Sequence, residues 1–178
     1  MNETVALRPV TASDLELFET EFASEHGTGI HQWFGFTPPH GLRRAFAENG
    51  LLSPDGGALS VVDAHGETAG RVEWFKASWG RPDTSSCWTI AAGLRPTFRG
   101  RGIGAEAQRL LVAYLFQHTR AQRVQAYTDI ENIAEQRALE KAGFSREGVL
   151  RSAQWRHGCW HDQVLYSCIR PSERPSAP

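Results

Sequence analysis

The spacing of apolar and polar positions changes several times along the chain, and each change predicts an element. TVALRPV (4–10) has the look of a strand. Thr11-Ala12-Ser13-Asp14 then offers side-chain oxygens that cap a helix through LELFETEFAS (15–24). Residues 25–39 hold glycines, two histidines and WFGF, which predicts a loop heavy in aromatics. HGLRRAFAEN (40–49) predicts a second short helix. GALSVVDA (57–64) and TAGRVEWFKAS (68–78), joined by His65-Gly66-Glu67, read as a hairpin, and SSCWTIAAGL (85–94) as another strand. IGAEAQRLLVAYLFQH (103–118) places Ile103, Ala107, Leu110, Leu111 and Tyr114 on one face of a helix. QRVQAYT is a strand, and NIAEQRALEKAGF is a helix stopped by glycine. GVLRSAQW and DQVLYSCI close the chain as a hairpin around Arg156-His157-Gly158.

The order β-α-α-β-β-β-α-β-α-β-β predicts an α/β fold. Strand, helix, strand through the middle gives a locally parallel pair, and the flanking hairpins give antiparallel partners. The sheet is therefore mixed and mostly antiparallel, with helices on it. At 178 residues the chain holds one domain, assigned to residues 1–170, and PSERPSAP (171–178) reads as a loose polar tail.

Composition removes several function classes. A net charge of −1 does not suit a protein that coats nucleic acid or an anionic membrane. No apolar run reaches the roughly 20 residues of a membrane helix, and MNETVALRPV lacks the basic start and apolar stretch of a signal peptide, so a cytoplasmic location is expected. Cys87, Cys159 and Cys168 are odd in number and widely spaced, which argues against a disulfide framework and offers no zinc spacing. Cys87 and Cys168 read as buried inert thiols, Cys159 as an exposed thiol in a hairpin turn. No metal site is expected.

RPTFRGRGIG (95–104) is the stretch with chemistry. A glycine turn ahead of a helix exposes consecutive backbone N–H groups beside the positive end of the helix dipole, a setting for phosphate. A Walker loop needs GK[ST], whereas Gly104 is followed by Ala105-Glu106. A dinucleotide fingerprint needs G-x-G-x-x-G, and Gly100, Gly102 and Gly104 are spaced otherwise. A tight turn with its arginines in solvent stays open on these residues alone.

R-x-x-G-x-G, here Arg99, Gly102 and Gly104, resembles the acetyl-CoA loop of the GNAT acetyltransferase superfamily, and Leu94-Arg95-Pro96 precedes it as in that family. N-x-x-A/S…EKxGF follows as Asn132 to Phe144. The ending EGVLRSAQWRHGCWHD resembles the branch that includes ribosomal-protein N-terminal acetyltransferases. The resemblance runs over about residues 3 to 170. It implies a single-domain GNAT fold in which two neighbouring parallel strands, SSCWTIAAGL and QRVQAYT, splay apart around acetyl-CoA. Ala92, Gly93 and Leu94 would pair with pantetheine amides. Backbone amides of Arg99, Gly100, Arg101, Gly102, Ile103 and Gly104 would hold the pyrophosphate. Asn132 would contact the pantetheine arm, and Arg137 is a further cofactor candidate. Arg95 reads as solvent-facing. Many relatives form dimers, so the resemblance raises a homodimer.

The resemblance also implies direct attack by an amine on the thioester, which calls for a neutral amine and a proton for the departing thiolate. Here the chain departs from its family. Many relatives carry a tyrosine acid seven residues after the motif asparagine, where this chain has Leu139. The ribosomal branch often has a serine three residues after it, where Glu135 stands, and a glutamate often found on the pre-loop strand is Thr89. Glu135 is thus the candidate acid, against a surface glutamate. Glu73, on the strand that borders the acceptor groove in relatives, is the leading base, against a solvent-facing position. His31, His40, His157 and His161 titrate in a useful range, though each suits a surface or loop as well.

An α-amine has a pKa near 7.7–8.0 and a lysine amine near 10.4, a difference of about 3.5 kcal/mol in reaching the neutral nucleophile. A chain without an obvious strong base is better matched to an α-amine or another weakly basic nitrogen. Asp14, Glu16, Glu19, Glu21 and Glu25, followed by Trp33, Phe34 and Phe36, would suit a cationic amine or a peptide N-terminus, although acidic first turns and anchoring aromatics have structural uses. Trp74, Trp155 and Trp160 read either as core or as the opposite wall of that groove. Two functions remain open: an N-acetyltransferase acting on a peptide or small-molecule amine, and an acyl-CoA-binding protein without catalysis.

Overall fold

The computed structural model describes residues 4–38 and 40–171. Residues 172–178 of the polar tail lie outside the described residues.

Strand β1 (Ala6–Pro9) leads into helix α1 (Ala12–Glu21). The Thr11 N–H donates to Asp14 Oδ2 at 2.8 Å, which starts the helix. The expected loop that follows contains a single helical turn, α2 (Glu25–Thr28). A Cβ on Gly27 would lie 1.5 Å from the Glu21 carbonyl oxygen, so glycine alone lets this turn fold back on α1. Next come α3 (Gly41–Asn49), the two-residue strand β2 (Leu52–Ser53), and the hairpin β3 (Gly56–Val62) and β4 (Thr68–Ser78). A second single turn, α4 (Pro82–Ser85), precedes β5 (Ser86–Leu94). After a 3-10 turn at Pro96–Phe98, α5 runs Ile103–His118, followed by β6 (Arg123–Asp129), α6 (Ile133–Lys141), and the hairpin β7 (Ser145–Arg156) and β8 (Cys159–Ile169).

The strands form one sheet in the order β1-β3-β4-β5-β6-β8-β7, with β2 on β3, and every neighbouring pair is antiparallel except β5 and β6. Side chains of a strand alternate between the two faces of a sheet. One face packs Leu59, Val61, Val72, Trp74 and Ile90 against Ile103, Ala107, Leu111 and Leu115 of α5. The other carries Ala58 into a smaller cluster with Val10, Leu15 and Phe18 of the α1 side, joined by Phe22 and Phe46. Arg71 and Glu73, alternating with Val72 and Trp74, therefore belong to the α1 face.

Trp74 is core and packs on Tyr114 with ring centroids 5.8 Å apart, whereas Trp155 and Trp160 form an exposed cross-strand pair at 5.5 Å. The buried stripe of α5 takes in Gln108 and Val112, while Leu110 and Tyr114 are only half-buried. Cys87 is buried as expected, Cys159 is exposed, and Cys168 is half-buried rather than fully buried; burial raises the thiol pKa of both Cys87 and Cys168.

Candidate active site

The parallel pair is joined only at Trp88↔Val124 and Thr89↔Gln125. Beyond that point β5 stays paired with β4 as far as Leu94, while β6 turns away toward β8. The far end of β5 thus keeps one edge without a strand, and backbone amides on such an edge require a partner. Ala92, Gly93 and Leu94 line a cavity of about 860 Å³ at this gap.

The glycine loop closes one end of that cavity. Gly100 and Gly102 have φ of 74° and 83°, conformations that glycine reaches without strain. Gly102 is the N-cap of α5 and supplies no capping side chain, so the first amides of a sixteen-residue helix have no local oxygen to bind. Gly100, Gly102 and Gly104 line the cavity. Ile103 does not; its side chain is core, at 1% exposure. Arg101 is exposed, stacks its guanidinium over Phe98 at 5.1 Å and is also outside the lining.

Arg99 lines the cavity in a way its sequence position did not suggest. Its Nε donates to the Leu94 carbonyl at 3.0 Å, and its terminal nitrogens donate to the carbonyls of His26 and Gly27. The side chain therefore ties the end of β5 to α2, and burial lowers the guanidinium pKa. The Arg99 N–H is itself engaged, donating to the Pro96 carbonyl at 3.3 Å. Arg95, expected in solvent, is instead largely covered and donates to the Thr68 carbonyl, Glu67 and Glu21.

Helix α6 forms the opposite wall. Asn132 caps it: Oδ1 accepts from the Glu135 N–H at 3.3 Å and Nδ2 donates to Thr128 Oγ1 at 3.1 Å, so its side chain shapes the wall. Arg137 and Lys141, one turn apart, line the cavity and make no ion pair among the described residues. Glu135 is not the surface side chain its position allowed. It is largely covered and accepts a hydrogen bond from Gln108 Nε2 at 2.9 Å. Burial outweighs that bond and pushes its carboxyl up to about 7.

A second cavity of about 220 Å³ lies on the α1 face, lined by Arg71 and Glu73 with Phe22, Trp33 and Phe34. Both cavities reach Thr28, Gln32, Ala92 and Gly93, so they meet at the open end of β5. Glu73 forms an ion pair with Arg71, its Oε1 lying 2.9 Å from Nε.

Behind the first cavity lies a buried pair, Asp129 and Arg156, joined at 2.5 Å. Burial pushes the Asp129 carboxyl up, but bonds from Arg156 and the Glu131 N–H outweigh it and hold the pKa low. Arg156 also donates to the His31 carbonyl at 3.0 Å. His31 lines the first cavity, with its buried Nδ1 3.9 Å from Asp129 and without a hydrogen bond. His161 lies 3.3 Å from Asp129 and 3.2 Å from Cys159 Sγ, His157 contacts Glu25 at 3.1 Å, and His40 is exposed beside Glu19.

Two of the three family positions that this chain fills differently serve the interior. Leu139 is fully buried, and Thr89 accepts from Gln125 Nε2 at 3.1 Å. Nor does the acidic run form one patch. Asp14 is buried and bonded to Arg8, Thr11, Ser60 and Thr68; Glu19 pairs with Arg43, and Glu21 with Arg95.

A family model described as an acetyltransferase (GNAT) domain matches residues 4–145. The chain belongs to this family. The probable N-acetyltransferase YjcK of Bacillus subtilis is 36% identical over 74 residues, 42% of this chain and 41% of that protein. YdaF of the same organism, provisionally named a ribosomal N-acetyltransferase, is 33% identical over 73 residues, 41% of this chain and 40% of that protein. The match thus spans about two fifths of the length of these relatives. Among solved structures, spermidine N-acetyltransferase from Vibrio cholerae in complex with CoA and spermine superposes with a TM-score of 0.77 at 17% identity, covering 93% of this chain and 95% of that one. RimL, a ribosomal L7/L12 alpha-N-protein acetyltransferase in complex with coenzyme A, does so with a TM-score of 0.77 at 19% identity, covering 93% and 94%. The fold is therefore the GNAT fold, a mixed, mostly antiparallel sheet with one splayed parallel pair.

Proposed function

We propose that this chain is an acetyl-CoA-dependent N-acetyltransferase that moves an acetyl group to a primary amine by direct attack. The observation that carries the reading is the unpaired end of β5, which opens one edge into the larger cavity and stands where the two cavities meet. Acetyl-CoA would lie along Ala92, Gly93 and Leu94. Its pyrophosphate would meet the loop from Arg99 to Gly104 at the start of α5, with Arg101 and Ile103 contributing backbone only. Asn132 would shape the opposite wall, and Arg137 and Lys141 would add charge to it.

Two carboxyls in different surroundings suit the two proton transfers. A carboxyl at about 4.5 would be protonated to about 0.3% at pH 7, whereas one at about 7 is half protonated. Glu135 can therefore give a proton to the departing thiolate, whose ordinary thiol pKa is near 8.5. Glu73, on the acceptor side, would take the proton that the amine loses. The smaller cavity would receive the amine.

The test is thiol release from acetyl-CoA with a panel of primary amines, beside calorimetric binding of acetyl-CoA. Saturable release that requires the amine is expected. Tight acetyl-CoA binding without release on any amine would instead mean a binding protein that lacks catalysis. The same reading places the protein in the cytoplasm, and light scattering at micromolar concentration decides whether it is a homodimer.

A further inference from the structure

The smaller cavity presents charges of both signs side by side. Arg71 and Glu73 are two residues apart on β4, so they share a face of the sheet. They stand opposite Gly93 and Ala91 of β5, and Gly93 also lines the larger cavity. Arg71 Nε lies 2.9 Å from Glu73 Oε1 as an ion pair, and its two terminal nitrogens make no hydrogen bond among the described residues. A guanidinium carries five N–H donors in a planar fork, and its outer pair fits a carboxylate with two parallel bonds. Glu73 accepts no hydrogen bond among the described residues, so its carboxylate keeps acceptor capacity beside the Arg71 charge. The guanidinium is fixed by stacking over Phe18 and Phe22, at 5.5 and 5.3 Å from their ring centroids.

We propose that the acceptor is a small zwitterion of the α-amino acid type, with its carboxylate on the outer nitrogens of Arg71 and its amine on the free oxygen of Glu73, resting on the reading of this site as an N-acetyltransferase. Volume and charge agree with that class. About 220 Å³ is enough to hold one amino acid. A polyamine, cationic throughout, would set an ammonium against Arg71, whereas a zwitterion extends the Arg71–Glu73 pair into a four-charge array of alternating sign. Trp33 and Phe34 would enclose an apolar side chain. In the reaction Glu73 takes one proton from the ammonium to free the amine, the nitrogen forms the bond to the acetyl carbon, and the carbon–sulfur bond of acetyl-CoA breaks. Glu135 gives its proton to the thiolate, the second proton lost by the nitrogen returns to the Glu135 carboxylate, and the Glu73 proton passes to water.

Binding, measured apart from turnover, tests the inference. Calorimetry on the CoA-loaded protein would compare phenylalanine with phenethylamine, and methionine with its decarboxylated amine and with spermidine. A charge-assisted hydrogen bond contributes about 1.5–3 kcal/mol, so the amino acids are expected to bind about 10-fold to 100-fold more tightly than the amines. Arg71→Gln, which removes the guanidinium and leaves a neutral polar side chain, should bring that ratio close to one, and Arg71→Lys should restore part of it. Equal or weaker binding of the amino acids, or a ratio that Arg71→Gln leaves intact, overturns the proposal. Amino-acid binding with no thiol release overturns the transferase reading and leaves the zwitterion site standing.

Discussion

Replacing Glu135 by Gln should make the protein more stable at pH 8 and leave it nearly unchanged at pH 4. The carboxyl sits at about 7 in the folded chain against 4.5 ordinarily. Between those values the unfolded chain has lost this proton and the folded chain has kept it, so stability falls as pH rises. At about 1.36 kcal/mol per unit, the loss reaches about 3 kcal/mol above pH 7 and vanishes below pH 4.5. Glutamine has the same shape, keeps an oxygen for Gln108 Nε2, and cannot ionise. Urea unfolding of both proteins at pH 4, 6 and 8 isolates the effect, because Asp14, Asp129 and Glu147 titrate identically in the two and cancel in the difference. For a domain of this size, about 3 kcal/mol corresponds to roughly 6–12 °C in Tm. The same variant should lower kcat about 100-fold or more and abolish the decline of activity above pH 7 that follows ionisation of the acid. A stability difference that does not vary with pH would refute the burial argument, and an unchanged kcat would remove Glu135 from the chemistry.

Arg99→Ala removes the bonds to the carbonyls of Leu94, His26 and Gly27 and should weaken acetyl-CoA binding about 10-fold to 100-fold by calorimetry; an unchanged Kd would mean that this clamp does not support the cofactor wall. Arg137→Gln with Lys141→Gln should raise the KM for acetyl-CoA several-fold at low ionic strength, with the gap closing in high salt, and a salt-independent effect would count against a phosphate role. Leu139→Tyr, which installs the family's usual acid, should instead lower stability by about 1–3 kcal/mol, since the site is fully buried and close-packed. A faster enzyme with unchanged Tm would show that the hydroxyl reaches the reaction.

Much of the frame was readable because it is local. The stripe from Ile103 and the glycines ahead of it predict α5 at its observed bounds, and the hairpins follow from strand-like runs around short turns. The single turns α2 and α4 were hidden in loops too short to show a period. Partners distant in sequence were harder still. Gln108 is polar and sits in the buried stripe because Glu135, 27 residues on, accepts its hydrogen bond. The acidic run suggested an acceptor patch, yet Asp14 is enclosed by Arg8, Ser60 and Thr68, and Glu21 reaches Arg95. Arg99 stands at a motif position, but nothing in its neighbours in sequence indicated that it would grip α2. The Arg71–Glu73 pair was half visible: Glu73 came from the likeness of its strand to an acceptor wall, while Arg71 gained meaning only once Phe18 and Phe22 were seen beneath it.

The central claim is that the gap between β5 and β6 brings acetyl-CoA and an amine together for direct transfer. One reaction tests it: acetyl-CoA with a saturating α-amino acid, followed at once for free thiol and, by mass spectrometry, for N-acetyl product. One acetylated amine is expected for each thiol released, with no release when the amine is withheld. Thiol release that proceeds equally without an amine, or none while acetyl-CoA is demonstrably bound, would contradict it.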